Sequence, residues 1–163
     1  MSEYKIVDSF LSEKEFKVIH DTVMNYNFSW YYNSSAAYED EKNSTPCFGH
    51  VLFSECNIYS NFYSTIKDTI LNKININALI RSKINMYLKT ENIVEHAWHT
   101  DFDFSHKGAL FYINTNNGYT ILEDGTKIES IANRMLFLDT SKIHKSTTCT
   151  DANRRININI NYV

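Results

Sequence analysis

The chain has 163 residues and a mass of 19.1 kDa, the size of one domain with a substantial hydrophobic core. Hydrophobic residues make up 43% of it and charged residues 21%, which excludes a disordered or fibrous protein. The formal net charge of -3 gives no overall attraction to nucleic acid or to an anionic membrane. We therefore expect a single domain over residues 1–163 that binds neither.

Targeting signals and cysteine pairs are both missing from the sequence. The N-terminus lacks the apolar run of a signal peptide, and no later stretch approaches the length of a membrane span. Cys47, Cys56 and Cys149 form no CxxC pair. We expect reduced thiols and a cytoplasmic protein. The abundance of Asn and Ile is typical of AT-rich coding, which would suit a phage-encoded protein in the host cytoplasm.

Helical signals fall in the first half of the chain. Ser12 and Glu15 have the spacing of a capping box, and apolar residues at helical spacing follow, so a helix is predicted over 13–25. Apolar residues three and four apart predict a second helix from Phe62 to about Lys73. Both helices are amphipathic, so residues 1–79 are expected to provide helical support for another layer.

Strand signals dominate after Leu79. Alternating strands are predicted at 80–88 and 155–162, with short strands at 109–114, 119–122, 126–130 and 135–139 between them. Turn residues at 116–118 and a hairpin signal at Asp124-Gly125 separate them. Helices followed by many short antiparallel strands predict an α+β domain whose sheet part is a sandwich or jelly roll.

The two alternating strands carry unusual polar faces. The first presents Arg81, Lys83, Asn85 and Tyr87 on one side, and the last presents Arg155 and three asparagines. Two interpretations stay open. The faces are exposed to water, or they line a cavity suited to a polar anion.

A candidate metal site lies in the stretch VEHAWHTDFDF at 94–104. His99 and Asp101 are two residues apart, so in an extended strand they point the same way. His144 is the best third ligand, and two histidines with one carboxylate form a facial triad that favours Fe(II). A zinc hydrolase with the same ligands stays open. His96 would point to the opposite face, so a structural role or a place at the pocket mouth is expected for it.

Two arginines begin the last strand. Arg154 and Arg155 are adjacent, so they would face opposite sides of the sheet. A planar guanidinium binds a carboxylate through two parallel hydrogen bonds. An arginine beside an iron site is therefore suited to a keto acid with a distant carboxylate.

These segments together resemble the Fe(II)- and 2-oxoglutarate-dependent oxygenase superfamily, in particular its prolyl 4-hydroxylase-like branch. The similarity covers roughly residues 80–162 and rests on order and spacing. Its segments are HTD at 99–101, ALFYIN at 109–114, NGYT at 117–120, NRMLFLD at 133–139, His144 and RRININ at 154–159. The first 79 residues match only in layout, as helices and a variable segment that often contacts substrate in the family. NGYT departs from the family's usual GGET.

The resemblance implies a role for each matched residue. His99, Asp101 and His144 match the catalytic iron ligands. The residues that match the 2-oxoglutarate pocket are Arg155, Tyr112, Tyr87 and Asn157. Arg155 would pair with the distal carboxylate, Tyr112 would hydrogen-bond the same group, and Tyr87 would line the pocket. Asn157 stands where relatives often have a small hydroxyl residue.

The resemblance also implies fold, cofactors and reaction. It implies a double-stranded β-helix (jelly-roll, cupin-like) core at 80–163 with N-terminal helices packed on one sheet. Fe(II) and 2-oxoglutarate are the expected cofactor and cosubstrate, with ascorbate as a candidate reductant. The expected reaction is hydroxylation of an unactivated C-H bond in a prolyl or similar side chain of a protein or peptide, with a small molecule as the alternative. Asp101 favours hydroxylation over halogenation, because halogenating relatives have a small residue there.

Two other kinds of protein stay open. A jelly-roll binding module would carry the HTD segment incidentally, and a cupin-like metalloenzyme would use no keto acid. The aromatic run Trp30-Tyr31-Tyr32 fits either a peptide groove or, more commonly, a core.

Overall fold

The computed structural model describes residues 4–36 and 45–163. Two α-helices lie within these ranges, α1 (Glu13–Met24) and α2 (Phe62–Thr69), and a 3-10 turn at Leu71–Lys73 follows α2. The strands are β1 (Tyr4–Val7), β2 (Tyr31–Asn33), β3 (Cys47–Ser54), β4 (Asn57–Ile58), β5 (Leu79–Leu88), β6 (Lys107–Tyr112), β7 (Asn116–Leu122), β8 (Lys127–Ser130), β9 (Arg134–Leu138), β10 (His144–Ser146) and β11 (Arg154–Tyr162). Neither helix has the length and apolar character needed to cross a membrane.

The strands form two antiparallel sheets. The large sheet has the order β1-β9-β6-β11-β5-β3-β2, with β4 paired to β3, and the small sheet has the order β10-β7-β8. Apolar side chains of β6 and β9 pack between the sheets against Leu122 and Ile128 of the small one. This is the double-stranded β-helix expected from the resemblance.

The main core lies on the other side of the large sheet. Ile19 and Val23 of α1 and Ile66 of α2 are fully buried against it. They pack on the apolar faces of the central strands, whose buried residues include Ile84, Phe111, Ile156, Ile158 and Ile160. The prediction that the N-terminal helices cover one sheet is confirmed.

The capping box of α1 is also confirmed. Ser12 Oγ accepts a hydrogen bond from the Glu15 backbone N–H, and the Glu15 carboxylate accepts one from the Ser12 N–H at 3.0 Å. The second predicted helix is shorter than expected, because α2 ends at Thr69 and the chain tightens into the 3-10 turn.

The polar face of β11 is buried. Arg155 and Asn161 are fully inaccessible, Asn157 is 2% exposed and Asn159 is 5% exposed. Their pleat points between the two sheets, while the alternating isoleucines point to the helices. The water-exposed interpretation is therefore wrong for this strand, because its polar face is buried between the two sheets.

Several strand boundaries differ from the sequence-based expectation. Residues 116–118 belong to β7 instead of a turn, and a register shift between Asn116 and Tyr119 marks an irregularity there. Asp124-Gly125 does close a hairpin, but through a three-residue loop at 123–125 with Gly125 at φ +84°. Five short or weakly alternating strands were not predicted: β1, β2, β3, β4 and β10.

Candidate active site

Three side chains from two chain segments converge between the sheets. His99 and His144 lie opposite each other in an isolated antiparallel bridge, with backbone hydrogen bonds of 3.0 and 2.9 Å. Asp101 is held nearby, because its N–H donates to the Thr140 carbonyl at 3.0 Å. The nearest ligand atoms of the three residues all lie within 4.8 Å of one another. The structure thus brings together the residues that the sequence singled out.

Both histidines are oriented by the backbone. His99 Nδ1 lies 3.1 Å from the Ala97 carbonyl, and His144 Nδ1 lies 3.0 Å from the Lys142 carbonyl. A carbonyl oxygen only accepts, so each Nδ1 carries a proton, and in the neutral form of each ring the lone pair is on Nε2. Burial and the neighbouring His144 lower the pKa of His99 to about 4. Neutral imidazoles with free Nε2 atoms are what a metal ion requires.

Asp101 is oriented by three side chains. Arg81 Nη2 donates to its Oδ1 at 3.2 Å, while Asn159 and Asn161 donate to its Oδ2 at 3.1 and 2.7 Å. Burial acts to raise the pKa of Asp101, but His144, Arg81 and the two amides outweigh it and hold the pKa at about 2. The carboxylate is therefore ionised. Of its roughly four acceptor positions, one on Oδ1 stays available.

The donor set fits a divalent metal ion. Two imidazole nitrogens and one carboxylate oxygen on adjacent segments supply one face of an octahedron, and the remaining positions stay open for exogenous ligands. Hydrogen bonds to groups behind the ligands fix their direction, as is usual in protein metal sites.

A buried arginine forms the other end of the interior. Arg155 is fully inaccessible, and it donates to Ser130 Oγ at 2.7 Å, Thr147 O at 3.2 Å and Thr120 Oγ1 at 3.1 Å. All three acceptors are neutral, and within the described residues no carboxylate pairs with this guanidinium. Three of its five N–H donors make these bonds, and the Tyr112 hydroxyl is a further neutral partner of the guanidinium. A buried cation without an acid is costly unless an anion binds beside it.

Two tyrosines flank Arg155. Its Cζ lies 5.5 Å from the Tyr87 ring centre and 5.8 Å from the Tyr112 ring centre. The Tyr112 hydroxyl is hydrogen-bonded to Thr120 Oγ1 at 2.9 Å, and Thr120 also contacts Arg155. Burial raises the pKa of both phenols, although Arg155 acts in the opposite direction. Both hydroxyls are therefore neutral and remain able to donate a hydrogen bond.

Gly118 explains why the NGYT segment needs a glycine. A Cβ added there would lie 2.6 Å from Arg155 Cδ and 2.6 Å from the Thr148 carbonyl. The β7 backbone therefore passes directly against the arginine side chain, and any larger residue would displace it.

Three further residues from the sequence analysis, Asn157, Arg154 and His96, make contacts around the site. Asn157 Oδ1 accepts a hydrogen bond from Asn85 Nδ2 at 3.1 Å, and this pair lies between Arg155 and Asn159 along β11. Arg154 points to the helices, where its guanidinium donates to the Met24 carbonyl at 2.9 Å. His96 is buried, hydrogen-bonds Ser146 and packs at a tilt with its ring centre 4.9 Å from that of Tyr87, which supports its structural assignment.

A groove opens beside the metal end of the interior. It measures about 570 Å³, and residues from β2, β3 and β5 line it together with Ser35, Ala36 and Tyr59. Tyr31 lines its rim and Tyr32 is 66% exposed, so the expectation of a core role is wrong for both, while Trp30 does pack against the core. Residues 37–44 of the expected variable loop lie outside the described residues.

Several site residues were missed in the sequence. Thr120, Ser130 and Thr147 were not singled out at all, whereas Arg81, Asn159 and Asn161 were predicted only as members of the two polar faces, without a contact to Asp101. The repeated asparagines of RINININ were a usable signal, because amides on the same pleat as Arg155 must share its environment.

Solved structures with the same architecture are numerous. No family model matches the chain, and no curated protein matches it in sequence. A viral collagen prolyl hydroxylase from Paramecium bursaria Chlorella virus-1, in complex with 2OG, is 14% identical, with a TM-score of 0.63 over 98% of this chain and 96% of that chain. A Pseudomonas putida prolyl-4-hydroxylase is 10% identical, with a TM-score of 0.65 over 99% and 93%.

A third structure includes a peptide. It is a prolyl hydroxylase from Trichoplax adhaerens in complex with a hypoxia inducible factor oxygen degradation domain peptide fragment. It is 14% identical, with a TM-score of 0.70 over 99% of this chain and 84% of that chain. The chain therefore has the double-stranded β-helix fold of the prolyl hydroxylases and related 2OG-Fe(II) oxygenases.

Proposed function

We propose that the protein is an Fe(II)- and 2-oxoglutarate-dependent dioxygenase that hydroxylates an unactivated C-H bond. The proposal is carried by one observation about β11. This strand has both a buried arginine without an acidic partner among the described residues and two amides that orient Asp101. One strand thus equips both an anion site and a metal site in the same interior. The shared fold of the oxygenases supports the same assignment.

His99, Asp101 and His144 would hold the iron. The Nδ1 hydrogen bonds of the histidines to Ala97 and Lys142 fix the direction of each Nε2 lone pair. Asn161 and Arg81 keep Asp101 ionised and prevent its rotation. These contacts hold the ligands in place before the metal binds, so little reorganisation is needed.

Arg155 would bind the distal carboxylate of 2-oxoglutarate. Its guanidinium suits a charge-assisted contact, and Ser130 and Thr120 hold it in position. The Tyr112 hydroxyl would donate to the same carboxylate, while Tyr87 would form one wall and Asn157 the floor toward the metal. Burial of all these residues excludes bulk water from the cosubstrate.

The bound iron and 2-oxoglutarate would supply the oxidising chemistry, in which oxygen is consumed and 2-oxoglutarate becomes succinate and carbon dioxide. The protein's part is to place the substrate C-H bond above the open face of the triad. The groove lined by Tyr31, Tyr59 and Arg81 lies beside that face and is the proposed entry route.

A prolyl or similar side chain of a protein or peptide is the proposed target, with a small molecule as the alternative. Support comes from the open, tyrosine-rimmed groove and from the peptide bound by the Trichoplax adhaerens enzyme. Ascorbate is the proposed reductant that restores Fe(II).

Succinate formation tests the proposal. The purified protein with Fe(II), oxygen and 2-oxoglutarate should form succinate above a metal-free blank, and His99→Ala should abolish the signal. His20→Ala, on the exposed side of α1, is the matched control and should leave it intact. A folded, iron-loaded protein that neither binds 2-oxoglutarate nor forms succinate would instead indicate a cupin-like enzyme without a keto acid, or a binding module.

A further inference from the structure

Lys83 is a cation on the inner face of β5 that the site described above does not use. It lies on the same pleat as Arg81 and Asn85, and its strand neighbours are Val51 of β3 and Asn159 of β11. Its side chain is half-buried and lines the groove beside the metal triad.

Lys83 has no acidic partner in the part of the chain that the structure describes. Among the described residues it forms no side-chain hydrogen bond or ion pair, whereas the adjacent Arg81 is bound to Asp101 and Asn161. Burial and Arg81 lower the pKa of Lys83, against the opposing influence of Asp101 and Cys47. The described surroundings of Lys83 therefore disfavour its charged form. A lysine kept only for stability would be expected to have a partner.

A second polar atom beside Lys83, Asn159 Oδ1, also has no partner within residues 4–36 and 45–163. Asn159 is 5% exposed, and its Nδ2 donates to Asp101, but its buried Oδ1 accepts no hydrogen bond from the described residues. Asn159 and Lys83 face each other in the β5–β11 register. A cation and an acceptor without partners among the described residues thus lie opposite each other in the β5–β11 register, and the cation lines the groove. Unsatisfied buried polar groups of this kind mark places where a ligand or water binds.

The described lining of the groove carries positive charge only. Lys83 and Arg81 are its ionised residues, and no aspartate or glutamate is among the described residues that line it. Gly49 lies across from Asn85 on the neighbouring strand, and no side chain projects into the groove at this position. Tyr31 and Tyr59, 64% and 59% exposed, stand at the rim. This chemistry favours a ligand with an anionic end and a partly apolar body.

Lys83 is set apart from the cosubstrate pocket. Along β11 the register positions of Arg155 and Lys83 are four residues apart, a separation of roughly 14 Å. The Asn85–Asn157 amide pair lies between them, and none of the residues that touch Arg155 lines the groove. Lys83 itself lines the groove next to Arg81, whose guanidinium bonds Asp101. Its position therefore suits a ligand that enters through the groove.

We propose that Lys83 binds a carboxylate of the substrate, so that the hydroxylated carbon belongs to a residue next to an acidic side chain or a C-terminal carboxylate. The inference rests on the proposed function and specifies its substrate class. Lys83 Nζ donates to the carboxylate, and Asn159 Oδ1 accepts an N–H from the same segment of substrate.

Matched peptides test this inference with the enzyme loaded with Mn(II) and 2-oxoglutarate. Acetyl-Gly-Pro-Asp-Gly-amide is compared with its Asn counterpart, and acetyl-Gly-Pro acid with acetyl-Gly-Pro amide, by calorimetric titration. We expect one acid of these pairs to bind about tenfold or more tightly than its neutral partner, the usual size of a hydrogen bond to a charged group. The pair that responds shows whether the carboxylate comes from a side chain or a terminus.

Lys83→Met should make acid and neutral peptides bind equally, and Lys83→Arg should retain part of the difference. Lys67→Met, on exposed α2, is the control and should retain all of it. The melting temperature of Lys83→Met should equal or exceed that of the wild type, because an unpaired charge is removed; a clear decrease would indicate a structural lysine and overturn the inference. So would equal binding of acids and amides by the wild type.

The two proposals fail in different ways. If the wild type binds no 2-oxoglutarate, the dioxygenase assignment fails. If it binds 2-oxoglutarate and Lys83→Met weakens that binding, Lys83 belongs to the cosubstrate pocket, and the substrate inference alone is overturned.

Discussion

The charged groups at the two ends of the inner face of β11 have different kinds of partner. At one end Asp101 is surrounded by donors, since Arg81, Asn159 and Asn161 all bond its carboxylate. At the other end Arg155 contacts only neutral acceptors. Both groups are buried, and about 20 Å of strand separates the residues 155 and 161.

This difference shows what each end is prepared for. A carboxylate held by several donors stays ionised and fixed in direction, which suits a ligand for a metal ion. A guanidinium with only neutral partners stays charged at a cost, which suits a site completed by an exogenous anion. Substitutions at each end should therefore affect different ligands.

The largest effect is expected for Asp101→Ala. It removes a metal ligand, so affinity for Fe(II) should fall by more than about 100-fold, beyond the 10- to 100-fold typical of groups behind the ligands. Metal titration with a competing chelator measures it. Asp103→Ala, two residues away and exposed, is the control. Equal metal affinity in the two variants would contradict the triad.

Arg155→Gln should weaken the binding of 2-oxoglutarate without affecting the binding of the metal. Loss of a buried charged partner should weaken 2-oxoglutarate binding by about 100-fold, while metal affinity stays within a few-fold of wild type. Arg154→Gln, whose guanidinium bonds Met24 on the helix side, should leave both unchanged. If Arg154→Gln were the damaging change, the assignment of the two arginines would be reversed.

Asn161→Ala tests how much the orientation of Asp101 contributes to metal binding while Asp101 itself is kept as a ligand. It removes the 2.7 Å hydrogen bond to Asp101, so metal affinity should fall by about 10- to 100-fold. Asn157→Ala, on the same strand but bonded to Asn85, should leave metal affinity intact. A parallel loss in both variants would mean that the whole strand, and not the Asp101 contact, supports the metal.

Gly118→Ala tests the close approach of β7 to Arg155. The added Cβ would lie 2.6 Å from Arg155 Cδ and from a backbone carbonyl, so overpacking should cost about 1–3 kcal/mol and lower the melting temperature by several degrees. 2-Oxoglutarate binding should weaken too, and metal binding should not. Unchanged 2-oxoglutarate affinity would show that Arg155 tolerates displacement.

Ser12→Ala should have the smallest effect. It removes the helix cap of α1 and should cost about 1 kcal/mol, with no change in metal or 2-oxoglutarate affinity. Thermal unfolding measures the loss. The variant also serves as the control for Gly118→Ala, because it lowers stability far from the site.

The sequence was most informative where side-chain periodicity and site chemistry coincide. The alternation of β11 predicted its two faces, and the spacing of His99 and Asp101 predicted that they point together. The position of His144 depended on a long-range bridge that no local pattern specifies. Its assignment therefore needed the order of segments along the chain.

Other features of the fold and the site could not be predicted from local sequence patterns. β3 contributes the groove wall, but its run CFGHVLFS alternates poorly because it includes an irregular register at Val51 and Phe53. The Arg81–Asp101 contact joins residues 20 apart, and the Asn161–Asp101 contact joins residues 60 apart. Such contacts follow from sheet register, which hydrophobic periodicity alone does not fix.

Anaerobic addition of 2-oxoglutarate to the Fe(II)-loaded protein tests the central claim most directly. A keto acid bound to iron gives a visible charge-transfer band, and we expect this band in the wild type and in Arg154→Gln. It should be absent in Asp101→Ala, and in Arg155→Gln it should require about 100-fold more 2-oxoglutarate. A folded, iron-loaded wild type without the band would contradict the account.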